Sequence, residues 1–282
     1  MKKLLLFLPC AFLLLTSFSP EYVPTPEEVD RFYQTKTLVV LEDNPIAEYN
    51  FVIKDFMQKE WTLTQYDFIK YSEFEEKRMD PQYSFIMLNQ VRFDKDKSLA
   101  KYNFLSLVLG SKDQVASDMP DLCPVPISYF GVDEDHYNYK LQIILRFMQK
   151  HVEMIHKNPK MIKTNMFKYY NENMKEIKDK TLYLIKDELA PECNTEAKIR
   201  KVYPYKIKIV SRDEVSKAID EKDPNVVFLH KVGPEGTKLV ARCYNILIGA
   251  ADSEFYYFNY HKISDKEPDG FLLSDFKKLA RK

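Results

Sequence analysis

The chain contains 282 residues, of which 45% are hydrophobic and 30% are charged, the balance of a soluble globular protein with one large domain or two ordinary ones. Its 42 basic and 42 acidic side chains cancel, so the net charge indicates no polyanionic partner such as nucleic acid. Glycine is scarce at 6 residues, where average usage of roughly 7% would give about 20. These glycines form no phosphate-binding loop, which argues against Walker-type and dinucleotide-binding enzymes.

Residues 1–19 have the layout of a secretory signal peptide. Lys2 and Lys3 precede an apolar run from Leu4 to Leu15, and small polar residues follow. A retained membrane anchor is the weaker alternative, because this run is short for a bilayer that needs roughly 20 residues. We therefore expect an exported protein with no membrane span after signal removal.

Export places the three remaining cysteines, Cys123, Cys193 and Cys243, in an oxidising compartment. An odd number allows at most one disulfide, and the sequence does not decide whether any two of them pair. Cys243 lies in an apolar run and is expected to be buried. Cys193 lies in a polar stretch and is expected to be the most accessible of the three.

One pattern of elements occurs twice, in the order α-β-α-β-α-β-β-β-α. The strand KTLVVL at 36–41 is expected to correspond to KTLYLI at 180–185. In each copy a later S-x-x-E motif, beginning at Ser72 or Ser211, predicts a helix start. Each of these helices is expected to end before an Asp-Pro pair, at 80–81 and at 223–224. The shared order of these signals indicates an internal duplication.

Residues 138–179, between the two copies, are helical by pattern. Their apolar positions form one stripe that could also join the two halves, namely Leu141, Ile144, Leu145, Met148, Val152 and Ile155. The predicted organisation is a signal peptide at 1–19, a first unit at 20–137, a helical connection at 138–179 and a second unit at 180–282. The predicted fold class is α/β, as two tandem units of similar topology, each with a mixed sheet flanked by helices.

The element order in each unit resembles the topology of the thioredoxin fold. The positions that carry thioredoxin chemistry do not match, because 41–45 reads LEDNP and 185–193 reads IKDELAPEC, with no C-x-x-C. The chain also resembles conserved exported proteins of Gram-negative bacteria whose activity is unassigned. That resemblance implies a place in the periplasm or cell envelope and supplies no functional residues.

Two acids, Asp43 and Asp187, follow the first strand of each copy, where ligands often bind in open α/β sheets. A structural role is the stronger interpretation for Asp43, because Asn44 and Pro45 suit the cap and first position of a helix. In the aromatic strand at 255–261, alternation predicts one face with Phe255, Tyr257, Asn259 and His261, which could hold a sugar or peptide. Packing of this strand between helices is the alternative, and the one favoured.

No spacing of histidines, cysteines or acids indicates a metal site, and no cofactor is predicted. The predicted function is therefore a non-enzymatic binding or scaffold module of the cell envelope, whose partner is another envelope protein or an extracytoplasmic ligand. The alternative is an enzyme with dispersed catalytic residues, either a hydrolase or a single-thiol redox protein acting through Cys193. A deep pocket with converging titratable groups would favour the enzyme.

Signal removal predicts a new N-terminus between Thr16 and Glu21. Mass spectrometry of the protein recovered from the cell envelope measures this directly. Recovery of the chain with Met1 intact would contradict export by a cleaved signal.

Overall fold

A computed structural model describes residues 22–96, 98–112, 115–235 and 240–281, so the predicted signal peptide lies outside the described residues. The strands are β1 (Lys36–Leu41), β2 (Tyr66–Lys70), β3 (Tyr83–Arg92), β4 (Lys101–Leu109), β5 (Val125–Tyr129), β6 (Thr181–Ile185), β7 (Ile207–Val210), β8 (Val226–Val232), β9 (Arg242–Gly249) and β10 (Phe255–Lys262). The helices are α1 (Pro26–Phe32), α2 (Glu48–Glu60), α3 (Tyr71–Lys77), α4 (Leu141–Lys157), α5 (Met166–Tyr170), α6 (Glu196–Ile199), α7 (Arg212–Asp220) and α8 (Leu273–Arg281). None of the helices in these ranges is long and apolar enough to cross a membrane.

The strands form two mixed five-stranded sheets with the same order. The first sheet is β2-β1-β3-β4-β5 and the second is β7-β6-β8-β9-β10. In both sheets the first three strands run parallel and the last two pair antiparallel. This confirms the predicted α/β class with two tandem units of similar topology and mixed sheets.

The two KTL motifs are offset by one residue between the sheets, so their expected alignment is wrong. Lys36 pairs with Tyr83, three residues after Asp80. In the second sheet the residue three positions after Asp223 is Val226, and it pairs with Thr181 and not with Lys180. A shift of one residue reverses the face to which a strand side chain points, so the shared letters were misleading.

Only one of the two predicted capping boxes exists. Ser211 caps α7, since its Oγ accepts the Glu214 N–H at 3.2 Å and the Glu214 carboxylate accepts the Ser211 N–H at 3.0 Å. In the first unit the cap position is Lys70, whose N–H donates to Glu73, and Ser72 already lies inside α3. The prediction for Ser72 was therefore wrong.

The start of α2 also differs from the expectation. The helix begins at Glu48 after the cap residue Ala47, and not at Pro45. The Asn44 side chain instead accepts the Ile46 N–H at 3.3 Å, within the turn that precedes the helix. An Asn side chain that bonds two residues ahead stabilises a turn as readily as it caps a helix, which explains the error.

The helix α4 lies between the two sheets in one continuous hydrophobic core. The predicted stripe is buried as expected, and the opposite side of α4 is buried too, including Ile143, Arg146 and Phe147. The same core contains β3 and β4 residues of the first sheet and β8 and β9 residues of the second. The connection between the units is therefore a central layer of the molecule.

Polar groups around α4 connect it to both units. The Arg146 guanidinium donates to the carbonyls of Ile219, at 3.0 Å, and Ala250, at 3.3 Å, both in the second unit. The Gln149 amide donates to the Glu60 carbonyl of the first unit at 2.8 Å. Buried backbone carbonyls need such partners, so these bonds fix how α4 sits between the sheets.

A buried ion pair joins the connection to the second unit. Lys140 Nζ lies 2.7 Å from Glu188 Oε1, with only 1% and 10% of the two side chains exposed. Removing one partner would leave the other charge buried without compensation, and such losses cost about 3–5 kcal/mol. Orientation between the two units therefore depends on both residues.

We expect Lys140→Met and Glu188→Leu each to lower the free energy of unfolding by about 3–5 kcal/mol, and the double variant to recover most of that loss. Urea unfolding measures all three. As a control, Lys36→Met breaks the Lys36–Asp67 pair, which is 43% and 61% exposed, and should cost less than about 1 kcal/mol. Additive losses in the double variant would contradict a coupled pair.

Candidate functional site

A cavity of about 630 Å³ opens where the two units and the connection meet. This volume falls within the roughly 300–1,000 Å³ of small-molecule sites. Its walls are mainly aromatic and aliphatic, and the rings come from segments distant in sequence: Phe93, Phe104, Phe147, Phe167, Tyr170, Tyr244, Phe255, Phe258 and Tyr260. Tertiary packing alone therefore creates this site.

Rings of the connection pack on β10 to form one wall. Phe147 of α4 stacks on Phe255, with centroids 3.6 Å apart and planes at 3°. Phe167 of α5 stacks on Phe258 at 4.3 Å. Stacked rings bury large apolar area, so the wall is rigid where it is formed by these pairs.

A β-bulge in β10 decides which aromatic side chains reach the cavity. Between Phe255 and Tyr257 the register with β9 shifts, leaving Tyr256 as an extra residue. Phe255 therefore shares the cavity face with Phe258 and Tyr260. The expectation that Phe255 lies on the face of Tyr257, Asn259 and His261 was wrong, because strict alternation does not hold across a bulge.

The side chains of Tyr257, Asn259 and His261 each form a hydrogen bond within the protein. Tyr257 Oη donates to Asp275 Oδ1 at 2.6 Å and the Asn259 amide lies 3.4 Å from the same oxygen. Asp275 in turn accepts the Leu272 N–H at the start of α8. The His261 ring donates through Nε2 to the Pro268 carbonyl at 2.9 Å. This face supports α8 and its preceding loop.

The predicted acids lie away from the cavity lining. Asp43 Oδ1 accepts the Ser72 N–H at 3.1 Å and the Ser72 hydroxyl at 3.0 Å, so it serves the first turn of α3. Asp187 is exposed in a 3₁₀ turn after β6. The buried acid of that turn is its neighbour Glu188, already paired with Lys140.

Asp121 is the buried acid that does border the cavity. Its Oδ1 accepts the Cys123 N–H at 3.1 Å, while Oδ2 is buried without a hydrogen bond from the described residues. Burial raises the pKa of Asp121 to about 7, against the smaller opposing effects of the Ser106 hydroxyl and of that N–H. The carboxyl group therefore keeps its proton to a higher pH than an exposed aspartate does.

A histidine and a tyrosine on the cavity lining are hydrogen-bonded to each other. His151 Nδ1 lies 2.7 Å from Tyr170 Oη, and both residues border the cavity. Burial lowers the pKa of His151 to about 4, so the ring is neutral at pH 7. A neutral, hydrogen-bonded pair presents little charge to a ligand.

Arg242 borders the cavity at the first residue of β9. Its guanidinium carbon lies 3.6 Å from the centroid of the Phe93 ring and 4.9 Å from that of Tyr260. Nε donates to Asp96, which also binds Lys262 at 3.0 Å. A planar cation between two rings keeps a fixed orientation.

The three described cysteines are buried and free. Cys193 was expected to be accessible and is not: its thiol donates to the Phe271 carbonyl at 3.0 Å, and burial raises its pKa to about 12. Cys243 accepts the Gly270 N–H at 3.4 Å on the other side of the same segment. Cys123 borders the cavity, and burial raises its pKa too. Neutral, buried thiols are poor nucleophiles.

Within the described ranges, no group of three or more histidine, cysteine or acidic side chains could hold a metal ion. The polar residues that line the cavity were not predicted from the sequence, because Asp121, His151 and Arg242 share no spacing. The one available signal was the run FYYF at 255–258, which was recognised but assigned to the wrong face.

Asp121 should make stability depend on pH. Its ordinary pKa is 3.8 and its folded value about 7, so between these the unfolded chain has released the proton that the folded chain keeps. Stability should therefore fall as pH rises from about 4 to about 7, and level off above. The full loss should be on the order of 4 kcal/mol, since each pKa unit corresponds to about 1.4 kcal/mol.

Asp121→Asn should remove this pH dependence, measured by urea unfolding at pH 5 and pH 8. Asp118→Asn, at an exposed position nearby, controls for removal of one negative charge. An unchanged difference between the two pH values in Asp121→Asn would contradict the assignment.

Comparison with known proteins adds no assignment. No protein-family model, no curated protein and no solved structure matches the chain significantly.

Proposed function

We propose that this chain is an exported, non-enzymatic binding protein of the Gram-negative cell envelope, and that its cavity holds a small apolar ligand. The observation that carries the proposal is the open cavity of about 630 Å³, which is lined by aromatic rings from both units and the connection. Sites for small ligands are mostly apolar, with a few polar groups that fix orientation. Here Asp121, His151 and Arg242 are such groups.

The burial of its walls supports ligand binding. Phe147 and Phe255 are at most 4% exposed and fix the shape of the cavity before any ligand arrives. A preformed site loses little conformational entropy on binding. Exposed apolar residues at the rim, Val23 and Phe167, give a ligand an apolar path inward.

The enzyme alternative rests on one observation, the Asp121 carboxyl group with its pKa near 7 in a cavity. A general acid or base needs a partner that activates a nucleophile or stabilises developing charge. His151 is a weak base at its lowered pKa, and the Cys123 thiol is kept neutral by burial. The described cavity residues therefore favour binding.

The proposal is tested with the neutral fluorescent probe N-phenyl-1-naphthylamine. We expect saturable binding to the mature chain, one probe per protein, with a blue-shifted emission. Phe167→Ala removes an exposed wall ring, 37% exposed, and should weaken binding roughly three- to tenfold through loss of ring contact.

Phe130→Ala provides the matched control. Phe130 is 48% exposed, lies outside the cavity lining, and should leave probe affinity unchanged when replaced. No saturable binding to the wild-type chain would refute the proposal. Equal weakening by both variants would show that the probe binds elsewhere.

A further inference from the structure

Arg242 is a largely buried cation at the edge of an otherwise apolar cavity. Its side chain is only 14% exposed. Burying a guanidinium costs free energy unless hydrogen bonds compensate it. The stability of this buried cation therefore depends on the partners of its N–H groups.

A guanidinium carries five N–H donors. Nε donates to Asp96 and Nη1 lies 3.5 Å from Tyr244 Oη. These are its hydrogen bonds within the described residues, which leaves donors of the fork for another acceptor. Two of those donors side by side match the two oxygens of a carboxylate.

The charges near Arg242 favour an anion. Asp96 is shared by Arg242 and Lys262, so this group of three carries one net positive charge. Lys163 adds a further positive charge on the cavity lining. Burial raises the pKa of Asp121, the acid on the lining, and the protonated form of its carboxyl group does not repel an anion.

We propose that the ligand is an amphipathic carboxylate, with its hydrocarbon chain against the aromatic walls and its carboxylate on the guanidinium of Arg242. This inference rests on the proposed function, since it specifies the chemistry of the ligand held in the same cavity. The aliphatic lining residues Ile155, Ile162 and Met166 supply surface for the chain between the rings. Tyr244 Oη lies beside the fork and offers a further donor to a bound carboxylate.

A purely structural role for Arg242 predicts different behaviour. The ion pair with Asp96 joins β9 to the turn after β3, and Tyr102 adds a hydrogen bond to the Arg242 backbone N–H at 2.6 Å. On that account, replacing Arg242 would weaken folding and lower affinity for all ligands alike. Discrimination between an acid and a matched neutral compound separates the two roles.

The test measures displacement of N-phenyl-1-naphthylamine by dodecanoate and by dodecan-1-ol. We expect the wild-type chain to bind dodecanoate at least about tenfold more tightly than the alcohol. Arg242→Gln should weaken dodecanoate binding about 10- to 100-fold and change alcohol binding less than about twofold. Arg242→Lys keeps the charge without the fork and should fall between.

Two further variants keep the test decisive if Arg242→Gln folds poorly. Asp96→Asn removes the competing carboxylate and should preserve or raise the preference for dodecanoate. Arg200→Gln removes a half-exposed charge in the second unit, away from the cavity lining, and should change nothing.

Equal affinities for acid and alcohol in the wild-type chain would overturn this inference while leaving the proposed function intact. Parallel losses for both compounds in Arg242→Gln, or loss of the acid preference in Asp96→Asn, would also overturn it. Failure of the naphthylamine itself to bind would instead refute the proposed function.

Discussion

The burial of α4 between the two sheets is the constraint on which the rest of the structure depends. Most of the α4 surface is buried, so the helix must be covered on more than one side, and each sheet covers one part of it. The two units therefore share one core, although each has its own sheet. Hydrophobic burial is non-directional, so it brings the units together without setting their angle.

Buried polar contacts provide the direction that apolar packing lacks. Lys140 with Glu188, and Arg146 with the Ile219 and Ala250 carbonyls, join the connection to the second unit. His230 adds a direct link between the sheets through its Nε2, 2.8 Å from the Pro126 carbonyl, and burial lowers the pKa of His230 to about 3, so this donor stays neutral. Misaligned packing would leave these groups unpaired, which makes one arrangement preferred.

The cavity follows from this arrangement. Phe147 of α4 is fixed by the shared core, and Phe255 stacks on it from the second sheet. The bulge at Tyr256 then turns Phe258 and Tyr260 to the same side, where Arg242 lies between Phe93 and Tyr260. Rings from three segments thus line one cavity that none of these segments could form alone. The ion pair of Arg242 with Asp96 at the edge of the cavity is a largely buried polar contact, like the contacts that orient the two units.

The sequence by itself determined the element order, the mixed sheets, the duplication and the burial of α4, because periodicity and turn signals such as Asp-Pro act over short spans. The sequence-based predictions were wrong for the helix starts at Ser72 and Pro45 and for the exposure of Cys193. At such positions two local conformations differ by little free energy, and contacts with residues distant in sequence determine which one forms. The tertiary structure alone decided the site. Asp121, His151 and Arg242 border one cavity only because tertiary packing brings together positions that are 30 and 91 residues apart in the chain, and no local pattern encodes that arrangement.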